Sequence, residues 1–419
     1  MKRIVTKIRT GIRMTGEFYQ DEMKAILKDQ GALLILLGAI IIYSLIYAYA
    51  YKMEVVREID TVVVDLDRSS SSRQLVRMID GTEEANISLS ATSMQEAKEL
   101  FYEDDQVGGI VVIPAGFEKD LLEGVQTDVS VYADGSYFLI YRQLVGAAVK
   151  SVGTFSAGVE IKRLMAEGKT YEQAMAARDP LSADLHFWFN SSSGYGSFVM
   201  PGLILIILQQ TLLIGIGMIG GTSKEKNRHS FQVPVALRRG GVFPLLLGKG
   251  LSYLTIYSIN CVFTMVLLHH WFDYPNRGSY LHVMALTVLF LLAVIFMGIT
   301  FSVLFKKRES SILLMVFLSP IVLFLSGISW PAASIPPFLY KLAHVFPSTI
   351  MVPAYLRIRN LGVELSSVQH EYFLLLIQVG FYFATAALAL YVETRRNRKL
   401  EARAKTQESI RIHERGEES

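Results

Sequence analysis

The chain has 419 residues, of which 51% are hydrophobic, and its formal net charge is +3. A hydrophobic content this high with a positive mean hydropathy excludes a purely soluble protein and indicates membrane helices joined to a polar domain. The small net charge gives no sign of a nucleic-acid partner.

Six long runs without Asp, Glu, Lys or Arg dominate the hydrophobic pattern. A membrane span needs about 20 mainly apolar residues to cross the ~30 Å hydrocarbon core, and each run is near or above that length. The sequence therefore predicts a polytopic α-helical membrane protein with six spans in a 1 + 5 layout. The runs are Gly31–Tyr51, Phe198–Gly221, Leu251–His270, Leu281–Phe305, Ser310–Gly327 and Tyr372–Tyr391.

The charges between these runs predict the orientation. Lys and Arg crowd the N-terminus, the segment after the second run, the turn at 306–308 and the tail, so the positive-inside rule places both termini in the cytoplasm. The predicted domains are a cytoplasmic N-terminus with an amphipathic interfacial helix (1–30), the first span (31–51), an extracytoplasmic α/β domain (52–197), a five-span membrane domain (198–392) and a charged cytoplasmic tail (393–419). The predicted location is the bacterial inner membrane.

Short β-rich runs alternate with helical patterns in 52–197, which predicts a small α/β domain with a partly parallel sheet. The expected strands are Thr61–Val64, Asn86–Leu89, Gly109–Ile113 and Val129–Tyr132. The expected helices are Ser69–Ile79, one opened by a capping box at Ser93–Glu96, Gly116–Leu122 and Tyr137–Met165. Asp65 and Asp67 with the serines 69–72 would suit a cation or phosphate site, but we interpret them as a strand end followed by helix caps.

No motif for catalysis, metal binding or nucleotide binding is present in the sequence, so we expect no catalytic or metal-ligating residues and no cofactor on this chain. His269, His270 and Asp273 could be imagined as metal ligands. Because they adjoin Trp271 and Tyr274 at a span end, we interpret them as interfacial anchors. The single cysteine, Cys261, lies inside the third run and is interpreted as a small apolar residue.

The six runs carry no ionisable group, which disfavours an ion-driven carrier because coupling to a gradient needs a titrating or cation-binding residue near mid-membrane. Polar residues inside the runs either line a substrate path or join helices by hydrogen bonds. The candidates for the path are Gln209, Gln210, Asn260 and Gln378. Gly217 and Gly221 form a Gly-x-x-x-Gly pair, a candidate close-packing face for a dimer.

Two segments predicted to face the cytoplasm could receive energy from a partner. Phe18, Met23, Ile26 and Leu27 alternate with charged residues, as is typical of a helix lying along the membrane interface. The loop 222–249 mixes basic and apolar residues and could rest on a partner protein, the alternative being an ordinary solvated loop.

The order of these elements resembles the type-2 permeases of ATP-binding-cassette exporters, within them the group with a large extracytoplasmic domain after the first span. The resemblance rests on the interfacial helix, the α/β insert, the basic run Gly221–Arg228, the pair Gly248-Lys249 and the Ser-Gly-x-x-x-Pro element at Ser326–Pro331. It covers the chain up to about residue 401. The loop departs from the usual acidic-Arg-Glu start, because it reads Lys224-Glu225-Lys226.

The resemblance implies a dimer of six-span halves, built from a second copy or a paralogue, with each half seated on a nucleotide-binding subunit that holds ATP and magnesium. The implied ATPase-coupling residues are Thr222, Lys224, Glu225, Lys226, Arg228, Phe231, Val233, Leu237 and Arg238. It also implies that the Pro-rich segment 326–347 forms short re-entrant helices at an outer gate, the alternative being a surface loop. The implied gate residues are Ser326, Gly327, Pro331, Pro336, Pro337 and Pro347.

The predicted function is therefore that of a permease subunit that is not itself an enzyme. It would export an amphiphilic drug, small molecule or lipid-like substrate, in contact with membrane lipid and with a periplasmic adaptor protein as a further partner. The alternative from a different class is a non-transporting scaffold or receptor whose outer domain binds a partner.

Overall fold

The computed structural model describes residues 2–181, 186, 188, 190, 194–226 and 242–417, with the backbone alone at 2–5, 7–8, 226, 394 and 397–417. Two compact units are present, one formed by Met1–Glu54 with Phe187–Ser419 and the other by Val55–His186. We call the first the helical unit and the second the α/β unit.

Two helices open the helical unit, α1 at Lys2–Lys28 and α2 at Gln30–Ala50. Asp29 separates them and is the N-cap of α2, where its carboxylate accepts a hydrogen bond from the Ala32 N–H at 3.0 Å. A π-helical turn interrupts α2 at Leu34–Gly38. Such a turn holds one residue more than the hydrogen-bonding pattern of an α-helix.

The α/β unit is built on a four-stranded sheet. Its strands are β1 (Ile59–Asp65), β2 (Ala85–Ala91), β3 (Val107–Ile113) and β4 (Ser130–Ala133). They lie in the order β2-β1-β3-β4, with β1 parallel to both neighbours and β4 antiparallel to β3. The prediction of a partly parallel sheet is confirmed.

Helices cover both faces of this sheet. They are α3 (Ser70–Asp80), α4 (Met94–Glu103), α5 (Phe117–Glu123), α6 (Phe138–Ala166) and α7 (Tyr171–Arg178). On one face Leu75, Phe117 and Leu144 pack around Val111, so α3, α5 and α6 share a core. Ala97 of α4 belongs to a separate core on Val62, Val64 and Ile110. Because β1 and β3 are buried on both faces, their sequences are continuous apolar runs.

The acidic and serine residues after β1 are helix caps, as interpreted from the sequence. Ser69 is the N-cap of α3, and Asp65 accepts hydrogen bonds from the Asp67 and Arg68 N–H groups. The Ser69 hydroxyl and the first N–H groups of α5 hold the pKa of Asp67 below its ordinary value. The predicted capping box at Ser93 is half correct: its hydroxyl accepts from the Glu96 N–H, but the Glu96 carboxylate binds the N–H and hydroxyl of Thr92 instead.

Helix α6 is a seventh helix with the length and apolar composition of a membrane span, whereas the sequence runs predicted six. Its buried residues Leu144, Ala147 and Phe155 belong to the core of the α/β unit. Its 29 residues therefore owe their apolar character at least partly to packing on the sheet.

Among its described residues, the rest of the helical unit contains seven α-helices: α8 (Tyr195–Lys226), α9 (Val242–Trp271), α10 (Tyr280–Ser302), α11 (Arg308–Leu325), α12 (Pro337–Ala343), α13 (Pro347–Leu361) and α14 (Gln369–Glu417). Helix α8 packs against α2, α10, α11 and α13. It is therefore the central helix of this unit in the part of the chain that the structure describes.

Helices α8 and α9 extend into the predicted loop 222–249. Thr222–Lys226 form the last residues of α8, and Val242–Lys249 the first two turns of α9. The apolar run ends at Gly221, but Lys and Glu are good helix formers, so the helix continues beyond it. The predicted bounds of the loop are therefore wrong at both ends. The centre of the loop lies outside the described residues, and with it the predicted coupling residues Arg228, Phe231, Val233, Leu237 and Arg238.

Helix α1 packs closely on the start of α9, and Gly248 makes this approach possible. A Cβ on Gly248 would lie 2.5 Å from the Phe18 Cβ and 2.7 Å from the Thr15 carbonyl oxygen. No side chain fits at these distances. The Gly248-Lys249 pair therefore has a packing role. Gly248 lets α1 approach closely, and the Lys249 ammonium binds Glu22 of α1.

Candidate functional site

Ion pairs and hydrogen bonds join the end of α8 to neighbouring helices and, separately, α1 to the start of α9. We call the residues that form them the charged junction: Glu22, Asp29, Thr222, Lys224, Glu225, Lys249, Arg308 and Glu393. Lys224 forms an ion pair of 3.0 Å with Glu393 of α14 and donates to the Ser302 and Val303 carbonyls at the end of α10. A cation is stabilised there because the last carbonyls of a helix are its negative end. Lys224 thus joins three helices.

Glu225 and Asp29 both bind Arg308, the first residue of α11. The Glu225 carboxylate accepts from the Arg308 backbone N–H at 3.1 Å, as expected at a positive helix N-terminus. Asp29 pairs with the Arg308 guanidinium at 2.8 Å and accepts a longer bond from the Thr222 hydroxyl. Burial raises the pKa of Asp29, but the Ala32 N–H, Arg308 and Thr222 outweigh burial and leave that pKa below its ordinary value.

Glu22 fastens α1 to α9. Its carboxylate binds the Lys249 ammonium and the Tyr253 hydroxyl, both at 2.7 Å, and the Glu22 residue is buried. The Ser252 hydroxyl donates to the Tyr19 carbonyl at 3.0 Å. The predicted interfacial helix is therefore bound by buried charge as well as by apolar packing.

The structure brings Thr222, Lys224 and Glu225, of the nine predicted coupling residues, into this junction. Lys226 is described by its backbone alone. Sequence reasoning missed Glu22, Asp29 and Arg308 as members because their partners are distant in sequence, such as the 227 residues between Glu22 and Lys249.

The Gly-x-x-x-Gly pair of α8 faces α11 of the same chain. A Cβ on Gly217 would lie 2.0 Å from the Ser311 hydroxyl oxygen, and one on Gly221 2.7 Å from the Arg308 nitrogen. The close-packing face is thus confirmed, but its partner is an internal helix rather than a second copy.

The Pro-rich segment 326–347, for which the resemblance implied short re-entrant helices, contains α12 and ends at the first residue of α13. Pro336 precedes α12, and Pro337 and Pro347 occupy the first positions of α12 and α13, where a missing N–H costs nothing. Pro331 precedes a single 3₁₀ turn at Ala332–Ser334. Before it, the Ser326 hydroxyl binds the Leu323 carbonyl, and Gly327 has φ of +88°, which favours glycine.

Three non-helical residues, His344–Phe346, separate α12 from α13, and we call them the α12–α13 break. Side chains of α8 and α14 bind this break and the adjoining start of α13. The Gln209 amide oxygen of α8 accepts from the Ser348 N–H at 2.9 Å. Gln378 of α14 donates to the His344 carbonyl at 2.6 Å, and the Tyr382 hydroxyl donates to the Val345 carbonyl. Two of the four predicted substrate-path residues therefore bind this break.

The other two path candidates have different surroundings. The Asn260 amide donates to the Leu36 carbonyl in the π-helical turn of α2 at 2.7 Å, which joins α9 to α2. Gln210 is buried, yet neither end of its amide has a hydrogen-bond partner within the described residues. Asn260 thus joins two helices by a hydrogen bond, which is the alternative to a substrate-path role. The contacts of Gln210 support neither a helix-joining role nor a substrate-path role.

Two ionisable residues are buried where the sequence suggested surface. His269, interpreted as an interfacial anchor, is buried, and its Nδ1 lies 2.9 Å from the Thr264 carbonyl oxygen, so that interpretation is wrong. Arg359 of α13 is also fully buried and donates to Tyr355, Asn276 and the Met265 carbonyl. Arg359 was missed because the segment 328–371 was interpreted as a loop, whereas α13 packs against α8 and α10.

No group of three or more His, Cys, Asp or Glu side chains suited to a metal ion occurs within the described residues. The arrangement instead joins helices at two places, the charged junction and the α12–α13 break. Helix α8 carries residues of both.

Comparison with known proteins gives the family. Residues 31–388 match the ABC-2 family transporter proteins. The chain is also 20% identical over 339 residues to the probable multidrug ABC transporter permease YbhS of Escherichia coli, in strain K12 and in O157:H7, which covers 79% of this chain and 84% of the relative. Permeases of this family are the transmembrane components of ABC transporters, while a separate subunit is the ATPase. The match covers most of the chain, and the protein therefore belongs to the ABC-2 family of transporter permeases.

Proposed function

We propose that this permease exports an amphiphilic small molecule, drug or lipid-like compound from the cytoplasm or the inner leaflet, using ATP hydrolysed by a partner subunit. Membership of a transporter family favours this function over the scaffold or receptor alternative. The name of the E. coli relative, a probable multidrug permease, supports the drug-like substrate class.

The proposed topology has six spans in a 1 + 5 layout with the α/β unit outside the cytoplasm. Of the seven candidate spans, α6 is the one assigned to the α/β unit, because Leu144 and Ala147 are buried in its core. The remaining six place both termini on one side. The basic residues near the charged junction support a cytoplasmic location for that side.

The proposed docking site for the ATPase subunit is the charged junction together with the segment 227–241. The observation that carries this proposal is the set of bonds made by the end of α8. Lys224, Glu225 and Thr222 join α8 to α2, α10, α11 and α14, so a force applied there reaches four other spans. ATP and magnesium would lie on the partner, and the apolar residues Val233 and Leu237 would contact it.

The assembly that we propose contains two permease halves, from a second copy or a paralogue, and two ATPase subunits. The proposed location is the bacterial inner membrane, where the protein contacts lipid directly. A periplasmic adaptor bound to the α/β unit is the further proposed partner. These partners follow from the family resemblance, and co-purification tests the protein partners.

The deciding experiment is purification of the tagged chain from its native membrane, with identification of bound subunits and an assay of ATP hydrolysis. We expect a P-loop subunit to co-purify and its binding to be lost in a Val233→Asp, Leu237→Asp variant. Exposed Lys306, substituted by Asp, is the matched control on the same side of the protein. Recovery of the chain without any nucleotide-binding subunit would overturn the proposal.

A further inference from the structure

The α12–α13 break leaves backbone groups of two helix ends inside the helical unit. The last carbonyls of α12 accept from the N–H groups of the break, but the His344 and Val345 carbonyls and the Ser348 N–H at the start of α13 have no partner within either helix. A buried backbone group without a partner is costly, so side chains must satisfy these groups for the segment to stay in place.

Side chains from two spans satisfy them. Gln209, which is 0% exposed, accepts from the Ser348 N–H at the start of α13. From the other side Gln378 and Tyr382 donate to the carbonyls of His344 and Val345 in the break itself. The break is therefore bound by α8 and α14 together.

Each glutamine uses one end of its amide on the break and leaves the other end free. The Gln209 nitrogen and the Gln378 oxygen have no hydrogen-bond partner within the described residues, and the same is true of the Ser348 and Thr349 hydroxyls beside them. A fully saturated network would resist change, because every rearrangement would cost a bond. This one has spare donors and acceptors for new partners when the segment moves.

Helix α8 connects the break to the charged junction. Gln209 and Lys224 lie on the same helix, about 22 Å apart at 1.5 Å per residue. The only proline inside α8, Pro201, precedes Gln209, so no proline kink interrupts the stretch between the two residues. A displacement of α8 at Lys224 would therefore reach Gln209 as a rigid shift.

We propose that Gln209, Gln378 and Tyr382 form a hydrogen-bonded latch that holds the α12–α13 segment closed, and that movement of α8 releases it. Gln209 is a positioning residue: it transmits the movement of α8 to Ser348. This inference rests on the proposed exporter function for its biological consequence, since the segment would then be the outer gate. The closed state itself can be tested without any partner.

The test measures how often the segment opens. In a Cys261→Ser background, a cysteine replaces Ala343, which is 1% exposed at the end of α12 and reacts with a maleimide only when the segment lifts. A second reporter, Ala333→Cys at an exposed position, measures reactivity that is independent of opening. Both reporters are studied in the isolated chain in lipid nanodiscs.

Gln209→Met removes the acceptor for Ser348 at nearly constant volume, and Gln210→Met is its matched control on the next residue. We expect Gln209→Met to raise the labelling rate at residue 343 about tenfold, the factor given by one lost hydrogen bond of about 1.4 kcal/mol. Gln378→Met should act in the same direction. Equal rates in the Gln209 and Gln210 variants, or no change in either, would overturn the latch.

A second measurement covers the case in which Gln209→Met does not fold. Hydrogen exchange of the peptide around Ser348 in the unsubstituted complex should be slow and should accelerate when the ATPase subunit binds a non-hydrolysable ATP analogue. An unprotected Ser348 amide in the resting state contradicts the latch. Protection that does not respond to nucleotide, with labelling as predicted, would support the latch and contradict the exporter mechanism instead.

Discussion

The carboxylate of Asp29 lies 2.8 Å from the guanidinium of Arg308, although 279 residues separate them along the chain. The pair joins the start of α2 to the start of α11, and both side chains are largely shielded from solvent. Because α1 precedes Asp29 directly, this contact fixes where α1 meets the start of α11. Five predictions concern the contacts around it and the topology of the chain.

Loss of the Asp29–Arg308 pair should destabilise the protein. We expect Asp29→Asn and Arg308→Gln each to cost about 1–3 kcal/mol, because each leaves a shielded charge without its partner. The measurement is a double-mutant cycle on unfolding in mixed micelles. If the two costs simply add, the pair makes no direct contribution to stability.

The same pair predicts a pH dependence. The pKa of Asp29 is lowered by folding, so its contribution is complete above the ordinary carboxyl value and is lost as pH falls through the lowered folded value. The stability difference between the unsubstituted protein and Asp29→Asn should therefore be full at neutral pH and shrink in strong acid. An Asn variant that is equally disadvantaged at both extremes would contradict this assignment.

Lys224 should couple ATP hydrolysis to transport. Lys224→Met breaks the ion pair with Glu393 and the bonds to the end of α10, so we expect binding of the ATPase subunit to persist while transport per ATP falls severalfold. Lys306→Met, at an exposed position, is the control. The measurement compares ATP hydrolysis with efflux of a fluorescent amphiphile in the same vesicles. A parallel loss in both variants would indicate a general effect of charge.

Close packing of α1 on α9 should depend on Gly248 and not on Gly250. A Cβ at Gly248 meets α1 below 3 Å, whereas the nearest atom to a Cβ at Gly250 is 3.5 Å away. Gly248→Ala should therefore cost about 1–3 kcal/mol and displace α1, while Gly250→Ala should be tolerated. Thermal unfolding and protease sensitivity of α1 measure the two effects.

Helix α6 should not cross the membrane. In a Cys261→Ser background, cysteines at Ser136 and Glu167, which flank α6 and are exposed, should react with an impermeant maleimide from the same side. Labelling of one site only from outside and of the other only after permeabilisation would show that α6 is a span. The 1 + 5 layout would then be replaced by another topology.

The sequence predicted the elements whose signals are local. The buried strand at Thr61–Val64, the caps at Ser69 and the apolar run of α10 follow from patterns within a few residues, and the structure contains each of them. The sequence also placed a helix at Tyr137–Met165 within the α/β domain, and α6 spans Phe138–Ala166. Only its packing shows which residues it buries there, because an apolar helix has the same pattern beside a sheet and in a bilayer.

The parts that were missed depend on long-range contacts. Helix α13 contains Pro353 and Arg359 and lacks a long apolar run, so only its packing against α8 and α10 shows that it belongs to the core. His269 looked like a boundary residue because Trp271 follows it, yet Thr264 and α13 enclose it. Lys224 was named as a coupling residue from the resemblance, but its ion-pair partner Glu393, 169 positions away, was not. No local spacing encodes such pairs.

The π-helical turn at Leu34–Gly38 has a consequence for how the chain tolerates changes in length. The turn accommodates one residue beyond the α-helical pattern, so deletion of a single residue there would restore an α-helix. Everything before it would then rotate by about 100° relative to the rest of α2. Asp29 would turn away from Arg308, and α1 would leave its seat on Gly248. The rotational position of α1 therefore depends on one extra residue in the π-helical turn of α2, several residues away from the Asp29–Arg308 pair that it aligns.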